Sequence, residues 1–171
     1  STIRVSTSPR WLTSSVHNGV VAAGKTSVVP FTVMSSEMPA GKYMATLTIS
    51  GNDPLNPVDE VPVTMVVTPT KKIILEPATL NFGSVLVGEK VSKIVKVRNQ
   101  GNTKIDLSKL ESGMNVLTGT LSTQKIEAGK STDLKVEFTP KNAGSLRVNA
   151  KLLSNADNSP TPLTLIGSGL A

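Results

Sequence analysis

The sequence predicts an all-β protein: two tandem β-sandwiches, about 1–70 and 71–171, the first lacking its initial strands. Three observations predict it. Apolar residues alternate with polar ones at period 2 through most segments, and Gly, Pro, Asn and Asp punctuate them as turns. No window carries a convincing 3.6-residue apolar period, so almost no helix is expected. The second half repeats the first, with additional strands ahead of the matched region.

The clearest stretch is Leu80–Gly101, LNFGSVLVGEKVSKIVKVRNQG. Val85 and Val87 lead to Gly88, where a turn can take positive φ without a Cβ clash. Val91, Val95 and Val97 then alternate with Ser92, Ile94, Lys96 and Arg98, one face apolar and the other largely charged. Asn99-Gln100-Gly101-Asn102 closes the unit as a turn.

In chain order, Ile3 and Val5 begin a short strand, Ser8-Pro9-Arg10 turns, and Trp11-Leu12 follow. Ala23-Gly24-Lys25 is a turn before Val29, Phe31 and Val33, where Pro30 lacks an amide donor and predicts an edge strand. Tyr43, Ala45, Leu47 and Ile49 form the clearest strand of the first half, and Val61, Val63, Met65 and Val67 its last. Thr68-Pro69-Thr70-Lys71-Lys72 is the linker. Ile73-Ile74-Leu75 and Leu80-Asn81-Phe82 open the second unit, and a less regular region runs to Leu121. Leu134, Val136 and Phe138, then Leu146, Val148, Ala150 and Leu152, then Leu163 and Leu165 supply its later strands. With aromatics at only 3%, Phe31, Phe82 and Phe138 are the larger core pieces expected among Val, Leu, Ile and Ala.

The repeat aligns Ala23-Gly24-Lys25-Thr26 with Ala128-Gly129-Lys130-Ser131, and Val29, Phe31 and Val33 with Leu134, Val136 and Phe138. It also sets Ala40-Gly41 against Ala143-Gly144, Pro57 against Pro160, and Val63-Thr64-Met65-Val66 against Leu163-Thr164-Leu165-Ile166. The segment Ile73–Lys104 has no counterpart in the first unit, which therefore lacks its first two strands. A half-sandwich of that size is marginal by surface-to-volume scaling and leaves edges open to pairing. Three explanations stand. The chain is a piece of a longer protein, an expectation shared by its start at Ser1; another chain supplies the strands; or the first unit is a smaller fold.

Composition limits the chemistry. Cysteine is absent, which excludes disulfides, thiolate metal sites and thiol nucleophiles. No apolar run approaches a membrane span of about 18 residues. Four basic residues balance four acidic ones up to Thr70, so the whole net charge of +6 falls in the second half. Lys96 and Arg98 are the candidate docking residues for an acidic partner such as an anionic glycan. No Arg-rich run or aromatic stacking series accompanies them, so nucleic acid is not expected. His17 is the only histidine, which leaves one possible base for a triad, and it is expected at the surface. Asp53, Asp59 and Glu60 could hold calcium weakly, but Asn52-Asp53-Pro54 is better explained by an Asx turn. Trp11 and Tyr43 are candidate glycan contacts; the competing expectation makes Trp11 a cap on the core and Tyr43 an inward residue. No glycine-rich phosphate loop is present, because Gly167-Ser168-Gly169 has no helix to follow. No catalytic residue, cofactor or metal is expected.

Leu80-Asn81-Phe82-Gly83, Val87-Gly88-Glu89, Val97-Arg98-Asn99-Gln100-Gly101 and Val136-Glu137-Phe138-Thr139-Pro140, with Gly144, resemble immunoglobulin-like sandwiches of the abnormal-spindle/Hydin (ASH) type, close to PapD-like and major-sperm-protein folds. The first unit resembles the tail of related repeats of bacterial surface and secreted proteins, through Trp11-Leu12, Gly24, Gly41-Lys42-Tyr43 and Asn52-Asp53-Pro54. The resemblance implies a non-catalytic structural or interaction module of an extracellular or surface protein, with a protein partner or neighbouring subunit. It also leaves open an accessory carbohydrate-binding domain of a secreted enzyme, or a cytoskeletal or ciliary docking domain; a periplasmic or cytoskeletal location goes with these.

Overall fold

Fifteen β-strands and no helix make up the chain in a computed structural model that describes all residues, Ser1–Ala171. The residues fall into two compact units, Ser1–Thr68 and Pro69–Ala171.

The second unit is a two-sheet sandwich. Its strands are β7 (Ile73–Glu76), β8 (Thr79–Leu86), β9 (Val91–Asn99), β10 (Ile105–Glu111), β11 (Leu117–Leu121), β12 (Lys125–Ile126), β13 (Ser131–Phe138), β14 (Gly144–Ser154) and β15 (Thr161–Leu170). One sheet has the order β12-β10-β14-β15-β8, the other β11-β13-β9-β7. All pairs are antiparallel except β8 with β15, which is parallel. Alternation places Val95, Val97, Leu134, Val136 and Phe138 of one sheet in a core with Leu80, Phe82, Val148, Ala150, Leu152, Leu163 and Leu165 of the other. The Phe82 and Phe138 rings meet at 5.3 Å.

The first unit holds β1 (Thr2–Ser8), β2 (Leu12–Ser14), β3 (Asn18–Val20), β4 (Phe31–Val33), β5 (Gly41–Gly51) and β6 (Val58–Val67). They form a sheet β3-β1-β5-β6 and a ribbon β2-β4. Strand for strand this is the second unit's order with β7, β8 and β9 removed. Three strands are therefore without counterpart, not the two expected from sequence. The reason is Pro77-Ala78, which breaks the opening segment: Ile73–Glu76 pairs with β9 in one sheet, and Thr79–Leu86 pairs with β15 in the other.

Other expectations are corrected by register. Leu47 pairs with Val61, and its counterpart Ala150 pairs with Leu163, so Val61 rather than Val63 corresponds to Leu163. Phe31 and Val33 do face inward, opposite Ser14 and Leu12, but they are not core. They are 48% and 41% exposed, whereas their counterparts Val136 and Phe138 are 0% and 2% exposed. The strand that would cover them, the equivalent of β9, is missing. The end of the irregular region before Leu121 is in fact a strand, β11, paired with β13. Its apolar alternation is interrupted by Gly119, where a Cβ would come within 2.7 Å of the Leu110 side chain.

Candidate functional site

Lys96 and Arg98 lie on the outward face of β9, two residues apart, because the inward positions Val95, Val97 and Asn99 go to the core. The ladder sets Lys96 between Glu76 of β7 and Asp133 of β13, and its Nζ lies 3.2 Å from Asp133 Oδ1. Arg98 lies between Ile74 and Ser131. Farther along the same face, Lys135 Nζ is 2.9 Å from Glu137 Oε1, and Lys90 Nζ is 3.5 Å from Glu137 Oε2. The Lys135 hydrogen bond holds the Glu137 carboxyl below the usual range, with the Lys135 and Lys90 charges adding to it against partial desolvation. Charges of both signs alternate across this face, so no single-sign field focuses on it.

Trp11 is 8% exposed and shares the first unit's core with Val5, Leu12, Leu47 and Met65. Tyr43 is half-buried beside that core, and its hydroxyl donates to the Pro39 carbonyl at 2.8 Å. They are thus brought to the same unit as packing residues, one ring enclosed and the other tied to a loop. His17 is exposed, and its carbonyl accepts the Val5 amide. Asp53 Oδ1 accepts the Leu55 amide at 2.9 Å, the geometry of an Asx turn.

Two features carry no signal in the sequence. Asn99, read as a turn residue, is fully buried. Its Nδ2 donates to the carbonyls of Thr103 at 2.8 Å and Ile126 at 3.0 Å, and its Oδ1 accepts the Gly101 amide at 2.8 Å. It therefore ties the turn after β9 to β12. The second feature is an open groove of about 510 Å³ across β8, β14 and β15, lined by Asn81, Ser84, Ser145, Arg147 and Ser168 around Gly83 and Gly167. Its residues come from three strands, and only pairing assembles them. The groove offers hydroxyls and one guanidinium, with no carboxylate or imidazole to move a proton.

No group of three or more His, Cys, Asp or Glu residues is placed to hold a metal ion. No helix is long and apolar enough to cross a membrane.

A search of curated proteins finds no match to the chain. Among solved structures, a protein of unknown function from Porphyromonas gingivalis W83 is similar at TM-score 0.53 and 18% identity, covering 98% of this chain and 85% of that one. The ASH/PapD-like domain of human CEP192 aligns at TM-score 0.48 and 14% identity, over 62% of this chain and 90% of that one. The secreted serine protease VesC from Vibrio cholerae aligns at TM-score 0.40 and 16% identity, over 53% of this chain and 21% of that one. Residues 71–168, the two-sheet sandwich described above, match the model of the HYDIN/CFA65/VesB-like Ig-like domain. Over more than half its length, the chain belongs to the HYDIN/CFA65/VesB-like family of immunoglobulin-like domains.

Proposed function

We propose that the chain is a non-catalytic structural and interaction module of a larger extracellular or cell-surface protein, acting through strand pairing and sandwich packing with a protein partner or neighbouring subunit. One observation carries this reading: four of the side chains singled out for chemistry or binding are engaged in holding the fold. Trp11 fills a core, Tyr43 anchors a loop, Asp53 closes a turn and Lys96 pairs with Asp133. What is left unsatisfied is backbone, along the outer edges of β4 and β6. The extracellular or surface placement rests on the likeness of the first unit to repeats of bacterial surface and secreted proteins.

For an acidic partner the proposed contact is Lys96 with Arg98. Arg98 faces no carboxylate across the ladder, so Arg98→Glu should weaken retention on an anionic heparin matrix more than Lys96→Glu does. Equal retention of both variants and the parent would remove that contact.

The test of the module reading is a panel of peptide, ester and glycoside substrates together with a glycan array. Neither turnover nor saturable binding is expected. Turnover would overturn the reading. Saturable glycan binding lost in Tyr43→Ala would replace it with an accessory carbohydrate-binding domain.

A further inference from the structure

The two units differ by one contiguous block. Strands β1–β6 of the first unit match β10–β15 of the second in order, and the second unit adds β7–β9. In the second unit that block does two things. β8 runs parallel to β15 along its outer edge, and β9 runs antiparallel to β13 along its outer edge. Between them, Leu75, Leu80, Phe82, Val85, Val95 and Val97 cover the inward side chains of β13 and β15.

In the first unit the same two edges, on β6 and β4, are open. The side chains that the block would cover are in place and uncovered. Val61 is 43% exposed where Leu163 is 0%, and Phe31 and Val33 are exposed where Val136 and Phe138 are buried. A sandwich normally hides such side chains, and exposed inward-facing ones mark a surface built for a covering element.

We propose that the open side of the first unit is occupied by a three-stranded segment patterned like Ile73–Asn99, carried ahead of β1 in the same polypeptide. The order of the repeat places it there: in the second unit the block directly precedes β10, the counterpart of β1. The segment runs parallel to β6, turns at a glycine as at Gly88, and returns antiparallel to β4 with alternate apolar side chains pointing inward. Charge does not select it, since the first unit's charges balance. One bond of the β8–β15 ladder has no counterpart. The Thr164 amide donates to the Ala78 carbonyl, and the matching position in β6 is Pro62, so that edge offers one donor fewer than β15 does. A second copy is a poor occupant. Lending its β7–β9 would strip Ile73, Phe82, Val95 and Val97 from its own core.

The proposal goes beyond the module reading, since it gives the β4 and β6 edges to the chain's own polypeptide rather than to a partner, and it fails separately from that reading. The experiment is hydrogen exchange by mass spectrometry on the chain as it stands and on a version with a copy of Lys71–Lys104 placed ahead of Ser1. In the parent, amides on the outer edges of β4 and β6 should exchange freely. In the extended chain they should slow by about 100-fold or more. Val95→Asp with Val97→Asp in the added copy should abolish that protection and leave exchange in the second unit unchanged. If the extended chain does not fold, the free Lys71–Lys104 peptide titrated into the parent gives the same readout, and absence of binding overturns the proposal. It is also overturned by outer-edge amides of β4 and β6 that are already protected in a monomeric parent, since the open side then closes on itself. Protection in the parent with a dimeric native mass overturns it in favour of a second copy. None of these outcomes bears on turnover or glycan binding, which decide the module reading.

Discussion

Asn99 shows how much one polar side chain can hold. It is fully enclosed, and its amide meets two carbonyls and one backbone N–H. Asn99→Ala leaves those three backbone groups without a side-chain partner in a buried site. The expected loss is about 2–4 kcal/mol, checked by the shift in the urea midpoint at unchanged slope. Two residues on, Gly101 lies against the Thr70 carbonyl so closely that a Cβ would overlap it. The sequence showed a turn at Asn99–Asn102, and a turn is there. It could not show that Asn99 is interior, because Asn-Gln-Gly-Asn spells an exposed turn equally well. Its interior partner is the Ile126 carbonyl, 27 residues away, which tertiary pairing brings alongside.

At the scale of elements, equivalent strands make a controlled comparison. β13 lies between β9 and β11, while β4 has a neighbour on one side only. Phe138→Ala removes a ring that is enclosed and stacked near Phe82, and should cost about 3–5 kcal/mol. Val33→Ala, at the counterpart position, should cost less than about 1 kcal/mol because its side chain is already partly in water. Chemical denaturation of the two variants checks the contrast, and equal losses would mean that β4 is covered. β13 also carries Glu137, whose carboxyl is held below its ordinary 4.5 by Lys135 and Lys90. A carboxylate with a depressed folded-state pKa contributes stability that is present above the unfolded value and lost as pH falls through the lower folded one. Glu137→Gln should therefore be less stable than the parent at neutral pH, and the two should converge below that folded value in a pH series of urea midpoints. The alternation of β9, β13 and β14 was plain in the sequence. β11 was not, since Gly119 blanks the middle of its pattern to make room for Leu110.

For the whole molecule, the contrast is between cores. Twenty buried apolar residues form the second unit's cluster and five form the first's. Burial of apolar surface is the main favourable term, so the first unit should unfold first. Calorimetry should show two transitions, the larger and later one carrying about 70 kcal/mol for the 103 residues of Pro69–Ala171. A single transition reported identically by Trp11 fluorescence and by the second unit's amides would show that the units unfold as one.

The sequence by itself determined the all-β class, the turn positions, the repeat and the block that only one half possesses. These are local: they follow from period-2 alternation, from glycine and proline chemistry, and from the order of residues along one chain. Tertiary structure decided the rest. It split the extra block into three strands serving two sheets, set Val61 rather than Val63 against Leu163, paired Lys96 with Asp133, buried Asn99, and left Phe31 and Val33 facing inward but only half covered. The reason is that alternation tells which way a side chain points, whereas burial depends on whether another strand lies across from it.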